Sequence, residues 1–190
     1  MKLDLLFEKS SDQHKSQWFD EGLSFSCTQC GNCCTGGPGY VWVSEQEIER
    51  LAVHFSMSFE QVTEKYLRKL GSKYSLREFR NDAGQYDCEF LIEQKTTNPE
   101  GRIVTKRVCG LYHVRPLQCR TWPFWDGLLE SKQSWDQAGK RCPGLNTGKQ
   151  YSKQEILELR DATDWPEQKG QQSPGSGAAG ASGGSGAAKK

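Results

Sequence analysis

Four of the chain's eight cysteines, Cys27, Cys30, Cys33 and Cys34, stand within eight positions of the stretch FSCTQCGNCCTGGPGYVWVSEQEIERLA, residues 25–52. Cys27, Cys30 and Cys33 follow C-x2-C-x2-C, the spacing with which ferredoxin-type runs wrap three thiolates around a cuboidal iron-sulfur cluster. Gly31, Gly36, Gly37 and Gly39 give such a loop the positive backbone angles it needs and leave amide N–H groups free to face sulfur. Cys34 adds one sulfur more than that loop uses. Neighbouring side chains diverge, so Cys33 and Cys34 serve two metal centres more easily than one.

The other four thiols, Cys88, Cys109, Cys119 and Cys142, are far apart in sequence. Cys88 opens the β-like run CEFLIEQ and Cys109 closes RIVTKRVCG, so antiparallel pairing of the two runs would bring them together. Cys142 sits in RCPG, a Cys-Pro pair of the kind that ends ferredoxin runs. Four thiolates around one divalent ion leave a net charge of about −2, which needs partners when buried. Arg107, Arg115, Arg120 and Arg141 lie close by in sequence and are placed to neutralise it. His113, in LYHVRP, reads as a hydrogen-bonding neighbour of the thiols before it reads as a ligand. Zinc prefers closed four-thiolate sites, whereas the C-x2-C-x2-C spacing leans to iron, so an iron-sulfur cluster is placed ahead of zinc and both stay open.

The elements that must position these thiols are small. YVWVS reads as a short strand running into a helix with a capping box, Ser44 with Glu47, and an apolar face of Ile48, Leu51, Ala52 and Phe55. His54 lies off that stripe and is expected in solvent. Ser58 with Gln61 opens a second helix whose face is Phe59, Val62, Tyr66 and Leu70, with Gly71 ending it. KTTNPEG joins the two β-like runs as a hairpin turn. TWPFW, residues 121–125, reads as core. A last capping box, Ser152 with Glu155, opens the helix KQEILELRD. The sum is a small, loop-rich α+β domain stapled by cysteine-ligated metal. Its expected boundaries are an N-terminal segment over 1–22, the cysteine-cluster domain over 23–167, and a flexible Gly/Ala/Ser-rich tail over 168–190.

Composition narrows the function classes. Hydrophobic residues make up 35% of the 190, which predicts a thin core and a use for metal in holding it. Net charge is +1, from 25 basic and 24 acidic residues, so no global field favours nucleic acid or an acidic membrane face. The first residues, MKLDLLFEKS, are too charged for a secretory leader, and no apolar run is long enough to span a bilayer. A cytoplasmic location is expected, where thiols stay reduced and cysteine clusters point to metal more than to disulfides.

The ordered blocks CxxCGxCC, YVWVSEQEI, CEFL, CGLYHVRPLQCRTWPF and CPG resemble the bacterial YkgJ-type CxxCxxCC cysteine-cluster family, over roughly residues 23–145. That family is described by zinc or iron chelation and resembles, more distantly, the cysteine-rich part of flagellin lysine methylases, whose cysteines are associated with an iron-sulfur cluster. The resemblance implies a metal centre held by Cys27, Cys30, Cys33, Cys34, Cys88, Cys109, Cys119 and Cys142. It implies no particular reaction. Three classes follow: a metal-chelating protein, an iron-sulfur enzyme or redox protein acting on a peptide or protein, and a zinc-stapled interaction module. Chelation is the reading adopted, with downstream activity unassigned. The expected partner is the metal ion or cluster, with no nucleic acid and no membrane.

Overall fold

The computed structural model describes residues 16–162; residues 1–15 of the expected N-terminal segment and the whole of the expected tail lie outside the described residues. The fold is α+β, built from short helices and small antiparallel sheets. It divides into two compact units, residues 29–119 and the paired stretches 16–28 and 120–162. Each has its own apolar core.

The chain enters through β1 (Leu23–Phe25) and reaches the unit over 29–119. There it forms β2 (Thr35–Gly36), β3 (Trp42–Val43), α1 (Glu45–Phe55), α2 (Phe59–Tyr66), β4 (Leu67–Leu70) and β5 (Lys73–Leu76). It continues through β6 (Glu78–Arg80), β7 (Tyr86–Cys88), β8 (Leu91–Thr97), β9 (Ile103–Cys109) and α3 (Leu117–Arg120). Three antiparallel sheets result, in the orders β2-β7-β6, β3-β5-β4 and β8-β9. Both expected capping boxes form, Ser44 with Glu47 on α1 and Ser58 with Gln61 on α2. On α1 the expected stripe is buried at Ile48, Leu51 and Ala52, Phe55 packs beside it, and His54 is exposed. Val43, Val62, Leu67, Leu76, Phe90 and Leu111 complete this core.

The second helix is shorter than its periodicity predicts. It ends at Tyr66, and Leu67 turns extended to pair with Leu76 across β4 and β5, so both leucines are buried in the sheet. Gly71 does not stop a helix. With φ +62 it makes the tight turn between Leu70 and Lys73. The CEFLIEQ run also splits. Cys88 belongs to β7, paired with Glu78, and only from Leu91 does the chain pair with β9. The change of partner is fixed by Glu89 N–H donating to the Arg77 carbonyl at 3.0 Å and by Gly110 N–H donating to the Phe90 carbonyl at 2.8 Å. The hairpin itself forms as expected, with Asn98 accepting from the Gly101 and Arg102 amides in its turn.

In the other unit, β1 pairs with β10 (Lys149–Tyr151), and α4 (Asp126–Leu129), α5 (Lys132–Gly139) and α6 (Lys153–Asp161) complete the fold. α6 carries the expected Ser152 and Glu155 capping box. The core here is aromatic: Phe19, Phe25, Phe124 and Trp135, with Leu129, Leu145 and Ile156. The core reading of TWPFW holds at Thr121, Pro123 and Phe124, all buried.

Candidate metal centre

The thiols of residues 29–119 are brought together by three local devices. The first is the turn after Gly31, whose φ of +73 opens a 3₁₀ turn over Asn32–Cys34. A Cβ on Gly31 would stand 2.8 Å from Leu91 Cδ1 and 3.0 Å from the Arg107 carbonyl oxygen, so only glycine lets the turn press on the β8-β9 hairpin. Gly36 also has positive φ, whereas Gly37 and Gly39 do not use it. The second device is strand register. Thr35 pairs with Asp87, so the residues that follow Cys34 and precede Cys88 are joined in one antiparallel ladder.

The third device holds Cys119. Its two preceding residues are bound to the corner between β3 and α1: Leu117 N–H donates to Glu47 Oε1 at 2.6 Å, while the Trp42 N–H donates to Gln118 Oε1 at 2.7 Å. Gln118 Nε2 donates in turn to the Tyr40 carbonyl at 3.0 Å. Glu47 and Gln118 are both buried, and each satisfies a backbone amide that would otherwise lose its partner.

Five thiols, Cys33, Cys34, Cys88, Cys109 and Cys119, thereby act on one another electrostatically. The Cys33 and Cys34 sulfurs are 3.9 Å apart. Cys34 bonds to both Cys109 and Cys33, which raises its own pKa and favours the thiolate on its neighbours. Cys33 is lowered to about 7 and Cys109 to about 6, in each case chiefly by that bond. Burial pushes Cys88 up to about 11, and Cys119 well above its ordinary value. The Arg115 guanidinium, stacked 3.9 Å over the Tyr112 ring, favours thiolate at Cys33, Cys109 and Cys119. Among the described residues no three His, Cys, Asp or Glu side chains converge on one ligand point.

The other expected ligands lie elsewhere in the chain's geometry. Cys30 is half-buried beside Gly31, in the loop that opens the unit. Cys27 and Cys142 belong to the other unit, where Ser26 N–H donates to the Gly144 carbonyl at 3.1 Å. A Cβ on Gly144 would fall 2.1 Å from the Ser26 carbonyl oxygen, which explains the glycine of the CPG block. Arg107 turns to Asp87, at 3.4 Å. His113 packs edge-on against Tyr112, with ring centroids 5.5 Å apart. Glu47 was legible only as a capping residue, and nothing in the sequence marked Gln118 or Asp87.

The sequence profile of the CxxCxxCC family, described as "Putative zinc- or iron-chelating domain", matches residues 26–143 and so takes in all eight cysteines. The chain belongs to this family. A CxxCxxCC protein is thus expected to hold zinc or iron, and thiolates are donors that suit both. The chain is also similar to an uncharacterised protein of Methanocaldococcus jannaschii, 27% identical over 103 residues, which are 54% of this chain and 46% of the relative. It therefore spans about half the length of that curated relative. No solved structure matches it. Among the described residues no helix is long and apolar enough to cross a membrane.

Proposed function

We propose that this CxxCxxCC protein chelates zinc or iron through its cysteines, with the donors of one centre drawn from Cys33, Cys34, Cys88, Cys109 and Cys119. The observation that carries the reading is the grouping of five thiols from four separate chain segments near enough that their charges act on one another, with the Arg115 guanidinium acting on three of them. Thiols merely filling a core would not be grouped in this way, nor would two of them be tuned to ionise near neutral pH. Cys27, Cys30 and Cys142 are proposed as further ligands on the family's spacing alone.

The 3.9 Å between the Cys33 and Cys34 sulfurs suits two ligands of one ion. A tetrahedral site with metal–sulfur bonds of about 2.3 Å has edges of roughly 3.8 Å. A cuboidal cluster instead gives each iron its own thiolate and spreads the sulfurs apart. Single-ion binding, by zinc or by one iron, is accordingly favoured at this pair, against the lean of the C-x2-C-x2-C spacing. The ion supplies positive charge that offsets the buried thiolates. Around it, Arg115 offsets what remains, and Glu47 with Gln118 holds the Cys119 turn in place.

Purification without oxygen, followed by metal and acid-labile sulfide analysis, tests this directly. Zinc or iron in an integral ratio, without sulfide at this centre and lost in Cys109→Ser, is the expected result. Sulfide equal to iron would replace the single ion by a cluster, and a protein that takes up neither metal after reconstitution would end the chelation reading. The C-x2-C-x2-C spacing keeps a second reading in play, an iron-sulfur protein with redox or catalytic work on a peptide or protein, and the sulfide measurement separates the two.

A further inference from the structure

Asp87 immediately precedes Cys88 and is buried. A buried carboxylate is costly unless it is well partnered, and the partners of this one are distributed in a particular way. Thr35, next to Cys34, gives it a side-chain hydrogen bond and pairs with it in the ladder between β2 and β7. Arg107, two residues before Cys109 on β9, forms an ion pair with it at 3.4 Å. Asn81 Nδ2 donates to its other oxygen at 3.0 Å, tying down the connection between β6 and β7. Successive strand residues point to opposite faces, so the carboxylate of Asp87 and the sulfur of Cys88 leave β7 on opposite sides.

We infer that Asp87 is the positioning residue of the thiol centre, a brace that fixes the spacing of Cys34, Cys88 and Cys109 by binding the strand or turn that carries each. The inference rests on the chelation reading for its consequence, and on the geometry for its substance. The carboxylate joins its own strand to two segments distant in sequence, and Thr35, Asp87 and Arg107 each stand one or two residues from a thiol, while Asn81 is a local tie. Metal binding gains when ligands are already spaced for it, and groups that orient ligands typically change affinity by about 10–100-fold.

The test uses the full-length protein and Co²⁺, whose thiolate charge-transfer and ligand-field bands report both occupancy and geometry. Asp87→Ala is expected to weaken Co²⁺ binding by about 10–100-fold and to alter the bands, while Asp87→Asn, which keeps an acceptor for Thr35 and Asn81 but not the charge facing Arg107, falls in between. A residue that only stabilises the fold would move the urea midpoint and leave the spectrum of the bound ion alone. In the metal-free protein, a short reagent that bridges two thiols should couple the group less efficiently in Asp87→Ala than in the wild type. If Asp87→Ala does not fold, Arg107→Gln carries the same comparison. Wild-type affinity, bands and bridging yield in the folded variants would overturn the brace. A wild-type protein that takes up no Co²⁺ would instead overturn chelation, and the bridging yield alone would then decide for or against Asp87.

Discussion

At the scale of single residues, the five thiols differ because their surroundings differ, and the difference has a pH signature in the metal-free protein. Cys33 and Cys109 are lowered to about 7 and about 6 from an ordinary value near 9, in each case mainly by the hydrogen bond shared with Cys34. Between about pH 6 and 9 the unfolded chain holds protons there that the folded protein does not, so stability rises with pH through that window. Cys88 behaves oppositely. Burial keeps its proton up to about 11, so the folded protein holds what the unfolded chain has lost and stability falls from about pH 9 to 11. Cys34 and Cys119, whose pKa values are raised as well, act in the same direction, so urea unfolding of reduced, metal-free protein should peak near pH 9, with the alkaline arm made shallower but not abolished in Cys88→Ser; a profile level from pH 6 to 11 would show the thiols to be unperturbed. The charge of Arg115 acts on Cys33, Cys109 and Cys119 of the same group. Arg115→Ala should weaken metal binding about tenfold, less than Cys109→Ser, as read by competition with a chromophoric chelator; a loss equal to that of the ligand change would make Arg115 more than a counter-charge.

At the scale of elements, the centre depends on close backbone approach. Gly31 combines a left-handed conformation with a contact against Leu91 and the Arg107 carbonyl that leaves no room for a Cβ. Gly31→Ala should cost about 1–3 kcal/mol and lower metal affinity as well, because the turn carrying Cys33 and Cys34 must lift from the hairpin carrying Cys109. Denaturant melts and a metal titration check both halves, and an alanine variant that binds and melts like the wild type would show that the turn is not seated as described. Gly71→Ala is the useful contrast. Its φ is +62 but open space surrounds it, so it should lose stability without losing metal.

At the scale of the molecule, two cores divide the labour. The aliphatic core of residues 29–119 is flanked by Cys88 and Cys109, which pack against it, while the aromatic core of the other unit holds Trp18, Trp122 and Trp135 at its centre or margin. Under the proposed function, ligands drawn from four segments of residues 29–119 would make bound metal part of that unit's cohesion, because such a ligand set exists only in the folded chain. Removing metal with a chelator should raise amide hydrogen exchange in β7, β9 and α3 well before α5 and α6. Exchange that stays unchanged throughout would show that the unit holds itself together without metal.

What the sequence determined by itself is what short-range physics controls. Each capping box, at Ser44, Ser58 and Ser152, closes between a residue and its third neighbour and so was legible before any fold was known. The Asn98–Gly101 turn of the hairpin was legible for the same reason, and the spacing of Cys27, Cys30 and Cys33 was enough to point to metal. Tertiary structure decided whatever depends on a partner chosen from far along the chain. Residues Leu67–Leu70 have the pattern of a helix end, yet pairing with β5 buries Leu67 against Leu76 and a strand wins. Cys88 was expected to meet Cys109 through one continuous hairpin; it reaches that neighbourhood from a separate strand, β7, because the chain changes partner at Phe90. Asp87, Glu47 and Gln118 have no spacing that announces them. Their roles come from hydrogen bonds between segments up to 78 residues apart, and such bonds are selected by the packed fold rather than by any local preference.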